Sequence, residues 1–336
     1  MRALYIDRRD TVLAYRDAAI EIRTPNANPA TVPLRGLQRL VISSSATLST
    51  GLLSQCWERD IGVLVLSGRR SLPTARFYGQ PHNDATLRIN QAILSQKPEI
   101  VSELARLVVI AKLTAQVRFL RKLGETRPGG RALIHSAVVL VADMAARLRT
   151  LDPMPVDAVR GHEGAAAAAY FGAFTGFFPP SLGFVGRVRR PPRDPVNAAL
   201  SLGYVLASFE ASRQAQIIGL DPKIGALHAL ASGRDSLGLD LVEPARPKID
   251  ALVHSLFAAR QLRADHFRAE DDGAILLGKA GRAIFYQAFE AQAPALGRYL
   301  RLGARRAAFV IMAQAGMSAQ TVALPANFAA AQYNVA

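Results

Sequence analysis

The strongest constraint on the fold is a change in hydrophobic pattern near Pro81-His82-Asn83-Asp84. Before it, short apolar stretches alternate with Asp, Asn and Pro, as β-strands and turns do. They are Ala3–Ile6, Thr11–Tyr15, Ala19–Ile22 and Leu40–Ile42. Ile61–Leu66 is a continuous apolar run suited to a buried strand, and Ser71–Tyr78, with Pro73 inside it, suits an edge strand. The spacing of Leu48, Leu52, Leu53 and Cys56 predicts a short helix over Thr47–Trp57. After the change the period becomes helical: Leu87–Leu123 with a break or bend near Pro98, Ala132–Leu151, Val156–Phe174, Val196–Leu220, Ile249–Leu262 and Ala280–Leu302. The expectation is an α+β chain, with a small N-terminal β domain over 1–82 and a larger all-α domain over 83–336.

Composition narrows the class. Half of the 336 residues are hydrophobic and 20% are charged, which excludes a disordered chain. The single cysteine, Cys56, excludes a disulfide framework and a zinc–thiolate site. Charges interrupt the apolar residues of MRALYIDRRD, unlike a signal peptide, and no apolar run reaches the roughly 18–20 residues of a membrane span. A soluble, cytoplasmic protein with no membrane partner is expected. Lys and Arg number 41 against 26 Asp and Glu, a net charge of +15. A surplus of that size raises the folded state's electrostatic self-energy and points to an anionic partner, foremost nucleic acid.

Three segments carry chemistry. In Gly161-His162-Glu163-Gly164 a carboxylate stands between glycines that let another backbone or a phosphate approach; the same glutamate also suits a helix N-terminus. In residues 186–197, Arg187, Arg189, Arg190 and Arg193 are stiffened by prolines into a cationic loop fitted to phosphate oxygens or to solvent. Asp194-Pro195 then starts the next helix as N-cap and first helical residue. The third segment, GLDPKIGALHALASGRDSLGLDLVEPARPKID over 219–250, contains His228, Asp240 and Glu243. Asp240 and Glu243 are three apart and would share a helix face. Two carboxylates and an imidazole suit Mg2+ or Mn2+, although each residue alone also fits a core histidine and a surface acid pair. No phosphate-binding glycine loop and no serine nucleophile elbow is present, so metal chemistry is the one reaction class with local support.

In series, GHEGAAAAAYF, RRPPRDPVNAALSLGY, GLDPKIGALH and SLGLDLVEPARPKID closely resemble the adaptation integrases of CRISPR systems, the "Cas one" family. CWERDIGVLVLSG and LRINQ extend the resemblance into the N-terminal half. The resemblance implies Glu163, His228 and Glu243 as ligands of Mg2+ or Mn2+, with Asp240 as a further acid. It implies DNA contacts from Arg187, Arg189, Arg190, Arg193, Lys223, Arg234, Arg246 and Lys248. It further implies a metal-dependent endonuclease and integrase that inserts double-stranded prespacer DNA into the repeat array by 3′-hydroxyl transesterification. Its implied partners are a second copy of the chain, through the β domain, and a small ferredoxin-like protein, "Cas two", bridging two such dimers. Ala245 departs from the bulky residue usual there, and the Ala-rich C-terminal tail aligns with nothing in the family. The alternatives are a transposon-encoded integrase of the same superfamily and a non-catalytic DNA-binding scaffold.

Overall fold

The computed structural model describes residues 3–67, 72–82, 84–126, 131–151, 154–188 and 191–316. Strands β1 (Ala3–Ile6), β5 (Arg39–Ile42), β7 (Gly62–Leu66) and β8 (Pro73–Phe77) form one sheet in the order β1-β5-β7-β8. The first three run parallel and β8 antiparallel at the edge, where Pro73 needs no ladder donor. A second sheet, in the order β4-β3-β2-β6, contains β2 (Thr11–Arg16), β3 (Ala19–Arg23), β4 (Ala30–Pro33) and β6 (Ala46–Leu48). The β2–β3 hairpin turns through Asp17 and Ala18, both at positive φ, as a two-residue loop requires. Strands β4 and β6 are too short to register as patterns in the sequence.

The helix expected over Thr47–Trp57 divides. Residues 46–48 complete the second sheet, and α1 (Thr50–Glu58) starts after Ser49, whose hydroxyl accepts from the Leu52 amide. Leu52 and Cys56 are buried, whereas Leu53, expected on the same face, is exposed.

The first sheet is covered on both faces, so β5 and β7 are apolar without alternation. Leu40, Ile42 and Val63 pack with Leu13, Ile20 and Leu52 of the N-terminal part. Val41, Leu64 and Leu66 point the other way, into the core of the helical part. Arg39 shares that second face. Its guanidinium donates to Glu210 at 3.0 Å and to Glu290 at 2.7 Å, both on helices, and is itself buried. Tyr5 also donates to Glu290, at 2.8 Å. The two parts therefore meet through shared core and buried ion pairs.

The helical part contains α2 (Thr86–Leu94), α3 (Pro98–Thr126), α4 (Arg131–Thr150), α5 (Val156–Thr175), α6 (Pro195–Ile218), α7 (Ser236–Val242), α8 (Arg246–Ala258) and α9 (Lys279–Gln314). The long helical pattern breaks at Pro98, which becomes the first residue of α3. α6 is buried on nearly every side and forms the axis of this part. Asp194 caps it, accepting from the Asn197 amide at 2.8 Å, and Gly219 ends it at φ 99°. Gly203 lets α8 and α9 close on this axis, since a Cβ there would lie 2.5 Å from Ile249 Cγ2. A small antiparallel hairpin, β9 (Phe267–Ala269) with β10 (Ile275–Leu277), interrupts the expected run of helices. Among the described residues no helix is long and apolar enough to cross a membrane.

Candidate active site

Glu163 lies in the third turn of α5, because that helix already begins at Val156; the N-terminal placement is not observed. Gly161 and Gly164 serve no tight packing. A Cβ at either would meet nothing within 4 Å, so the space beside Glu163 is open.

Asp240 and Glu243 do not share one regular helix. Asp240 is near the end of α7, and Glu243 opens the single 3-10 turn Glu243–Ala245 that leads into α8. Their partners differ accordingly. Asp240 Oδ2 accepts from the amides of Ala226 and Leu227 at 2.6 and 3.0 Å. Its Oδ1 accepts from the His228 amide at 3.0 Å and lies 2.7 Å from His228 Nδ1. Gly225 makes this wrap feasible. A Cβ there would stand 2.6 Å from the Ser236 carbonyl carbon and 2.8 Å from Asp240 Oδ2. Both oxygens of Asp240 are thus engaged in holding the 226–228 segment and its imidazole, a role the sequence did not separate from that of an ion ligand. A carboxylate held by three amides accepts only, so His228 Nδ1 donates to it and Nε2 is turned away from Asp240. Nε2 lies 3.8 Å from Glu243 Oε1.

Glu243 is buried between two cations. Arg246 Nη2 is 2.9 Å from its Oε1, and Lys112 Nζ is 2.6 Å from its Oε2. Burial opposes its ionisation, but Arg246 and then Lys112 outweigh that and hold the carboxyl down at about 2. Oε2 is sealed from solvent, and the Lys112 ammonium is its close charged partner. Lys112, in the middle of α3, also contacts Glu163 Oε1. One ammonium therefore joins carboxylates from two separate elements. Lys112 was not identified from the sequence. The available signal was a pair of polar residues, Lys112 and Gln116, inside the buried stripe Ala105, Val109, Leu113, Val117 and Leu120.

Behind the carboxylates, Tyr204 of α6 stacks against two guanidiniums. Arg246 Cζ is 4.5 Å and Arg187 Cζ 5.3 Å from its ring centre. The hydroxyls of Tyr204 and Tyr170 both donate to Asp250, the latter at 2.6 Å, tying α5, α6 and α8 together. Burial pushes the Asp250 carboxyl up to about 6, with the two tyrosine hydroxyls and Arg246 opposing.

The expected DNA contacts are dispersed. Arg187 donates to the Val188 carbonyl, to Asn197 Oδ1 and to Ser201 Oγ, which fixes its loop on α6. Arg193 is exposed and donates to the Asp272 carbonyl at 2.7 Å, joining the loop to the β9–β10 turn. Arg189 and Arg190 lie outside the described residues. Arg234 donates to the Ala229 carbonyl, Lys223 is exposed, and exposed Lys248 lies over the Tyr299 ring. Of the described members only Arg246 contacts Glu243, and Arg187 comes near it through the shared Tyr204 ring.

Among the described residues, no three of His, Cys, Asp and Glu form a ready-made ligand cluster. The donor set nevertheless fits a hard divalent ion. Glu163 and Glu243 already converge on a cation, and Nε2 of His228 lies 3.8 Å from the other oxygen of Glu243.

Residues 4–291 match the family described as "CRISPR associated protein Cas1". A "CRISPR-associated endonuclease Cas1 1" of Thermodesulfovibrio yellowstonii is 34% identical over 291 residues, which is 86% of this chain and 91% of that protein. Among solved structures, a casposase bound to integration product is similar at a TM-score of 0.82 and 19% identity, over 94% of this chain and 91% of the other. The chain is also similar to part of a Cas6-RT-Cas1–Cas2 complex, at a TM-score of 0.79 and 20% identity, over 95% of this chain and 35% of that one.

Proposed function

The chain belongs to the Cas1 family of CRISPR-associated proteins, and from that premise we propose that it is a DNA endonuclease and integrase of CRISPR adaptation. In this proposal it joins prespacer DNA to a repeat array. The observation that supports the proposal is that one ammonium, Lys112, joins Glu163 of α5 to Glu243 of the 3-10 turn, while His228 Nε2 lies 3.8 Å from the other oxygen of Glu243.

Glu163, Glu243 and His228 would hold Mg2+ or Mn2+. Such an ion supplies charge stabilisation at a phosphodiester undergoing in-line displacement. The chain's own residues do the rest. Asp240 fixes the imidazole so that Nε2 faces the site. Arg246 and Arg187, stacked on Tyr204, place fixed positive charge beside the backbone to be cut. The 3′-hydroxyl of the prespacer attacks a repeat phosphodiester and the neighbouring 3′-oxygen leaves. One ester replaces another, so alignment and charge complementarity suffice without an energy source. Water in place of the hydroxyl gives endonuclease cleavage at the same centre.

Double-stranded DNA, a second copy of the chain and a small Cas2-type protein are the proposed partners, acting in the cytoplasm. The fold shared with a chain solved in a Cas6-RT-Cas1–Cas2 complex supports the Cas2-type partner, and the fold shared with a casposase bound to integration product supports DNA. The fold shared with a casposase keeps a second reading, a transposon-encoded integrase using the same chemistry. Flanking DNA separates the two, by a repeat array in one case and terminal inverted repeats in the other.

The test is strand transfer into a supercoiled repeat-bearing plasmid with Mn2+ or Mg2+. Glu163→Gln is expected to lower the rate by about a hundredfold or more while binding DNA normally. Wild-type rates from this variant, or transfer that persists in chelator, would refute the ligand assignment. DNA binding with no product under any metal condition would favour a scaffold.

A further inference from the structure

Lys112 occupies a position that the proposed function does not explain. It stands mid-helix in α3, with its side chain 5% exposed, and its ammonium contacts Glu163 and Glu243 at once. Burying a lysine is costly unless it is paired, and both of its partners here are the carboxylates assigned above to an ion. Resting on that assignment, we infer that Lys112 is a placeholder cation: in the metal-free protein its ammonium fills the seat between Glu163 and Glu243, and a divalent ion entering the seat displaces it.

Charge requires the exchange. The centre holds the carboxylates of Glu163, Glu243 and Asp240 against the cations of Lys112 and Arg246. Arg246 remains on Glu243 Oε1, so without Lys112 the Glu163 carboxylate would face Glu243 Oε2 with no counter-charge between them. A divalent ion added beside a retained ammonium would instead put like charges within contact distance at the buried Glu243 carboxylate. The displaced ammonium has somewhere to go. Gln116 follows one turn later on the same face of α3, and helical side chains lean back toward the preceding turn. Its Oε1 is a buried acceptor with no partner. Glu163 is itself 20% exposed, so its carboxylate is not walled in on every side.

Mn2+ binding to the full chain, measured by calorimetry, tests this apart from activity. Lys112→Gln removes the competing charge while keeping a polar group of similar length. Its Mn2+ dissociation constant is expected to fall by about tenfold or more, and its Tm in chelator to drop and recover with Mn2+. Lys112→Arg places a guanidinium fork on the two carboxylates and is expected to bind Mn2+ more weakly than wild type, so that this arm decides the matter if Lys112→Gln does not fold. Unchanged or weaker binding by Lys112→Gln, with clear binding by wild type, overturns the placeholder and leaves the metal site standing. Wild type that takes up no Mn2+, or takes it up no better than Glu163→Gln, overturns both.

Discussion

Asp250→Asn isolates the buried group that braces the site from behind. Asp250 is buried and accepts from Tyr170 and Tyr204. Burial raises its carboxyl from 3.8 to about 6, and burial holds both tyrosine hydroxyls protonated as donors. A carboxyl with a raised folded pKa binds its proton more tightly in the native state than in the unfolded chain. Its contribution to stability is complete below the unfolded value and is lost as pH rises through about 6. The gap from 3.8 to about 6, at about 1.4 kcal/mol per pH unit, amounts to about 3 kcal/mol. Asparagine keeps a hydrogen-bonding group between the tyrosines but cannot titrate. Urea unfolding of both proteins in chelator, from about pH 4 to about pH 7.5, is the assay. The stability of Asp250→Asn relative to wild type should climb by about 2.4 kcal/mol across this range, since pH 4 already lies above the unfolded value, with most of the rise completed just above pH 6. A difference that stays flat with pH would refute a neutral, desolvated Asp250.

Two further substitutions probe how the site is held. Gly225→Ala drives a Cβ toward the Ser236 backbone and Asp240, so the 226–228 segment must lift from its carboxylate; a stability loss of about 1–3 kcal/mol in urea and a tenfold or greater fall in strand transfer are expected, and a wild-type rate would show that the wrap is dispensable. Arg39→Met leaves Glu290 without its guanidinium and Glu210 with Arg213 alone, at a cost of about 3–5 kcal/mol by the same unfolding measurement; less than about 1 kcal/mol would show that the pairs between sheet and helices do little.

The legible parts of the fold were those decided locally. Period and punctuation located the start of α6, because Asp194 and Pro195 act on the backbone within a turn of themselves, whereas the helical pattern ran on to Leu220 past the stop at Gly219. Pro98 marked the break before α3 for the same reason. Of the short strands, β1 and β5 showed as apolar stretches, whereas β4, β6, β9 and β10 did not, and their existence depends on partners elsewhere. In the site, Glu163, His228 and Glu243 stood out as residue types in unusual surroundings. What those surroundings do was hidden. Asp240 looks like a ligand three residues before Glu243, until the amides of 226–228 fold back onto it. Lys112 is 51 residues from Glu163, so only tertiary packing reveals the contact.

The sheet buried on both faces makes the chain indivisible in a practical sense. Val41, Leu64 and Leu66 are the floor on which the helices stand, and Arg39 is bolted through that floor to α6 and α9. Cutting at residue 82 would strip the helical half of one wall and leave Glu210 and Glu290 facing water-poor surface without their arginine. The helical half is thus not a portable cassette, and grafting it onto another β module would demand that the new module carry a matching cation and the same apolar relief.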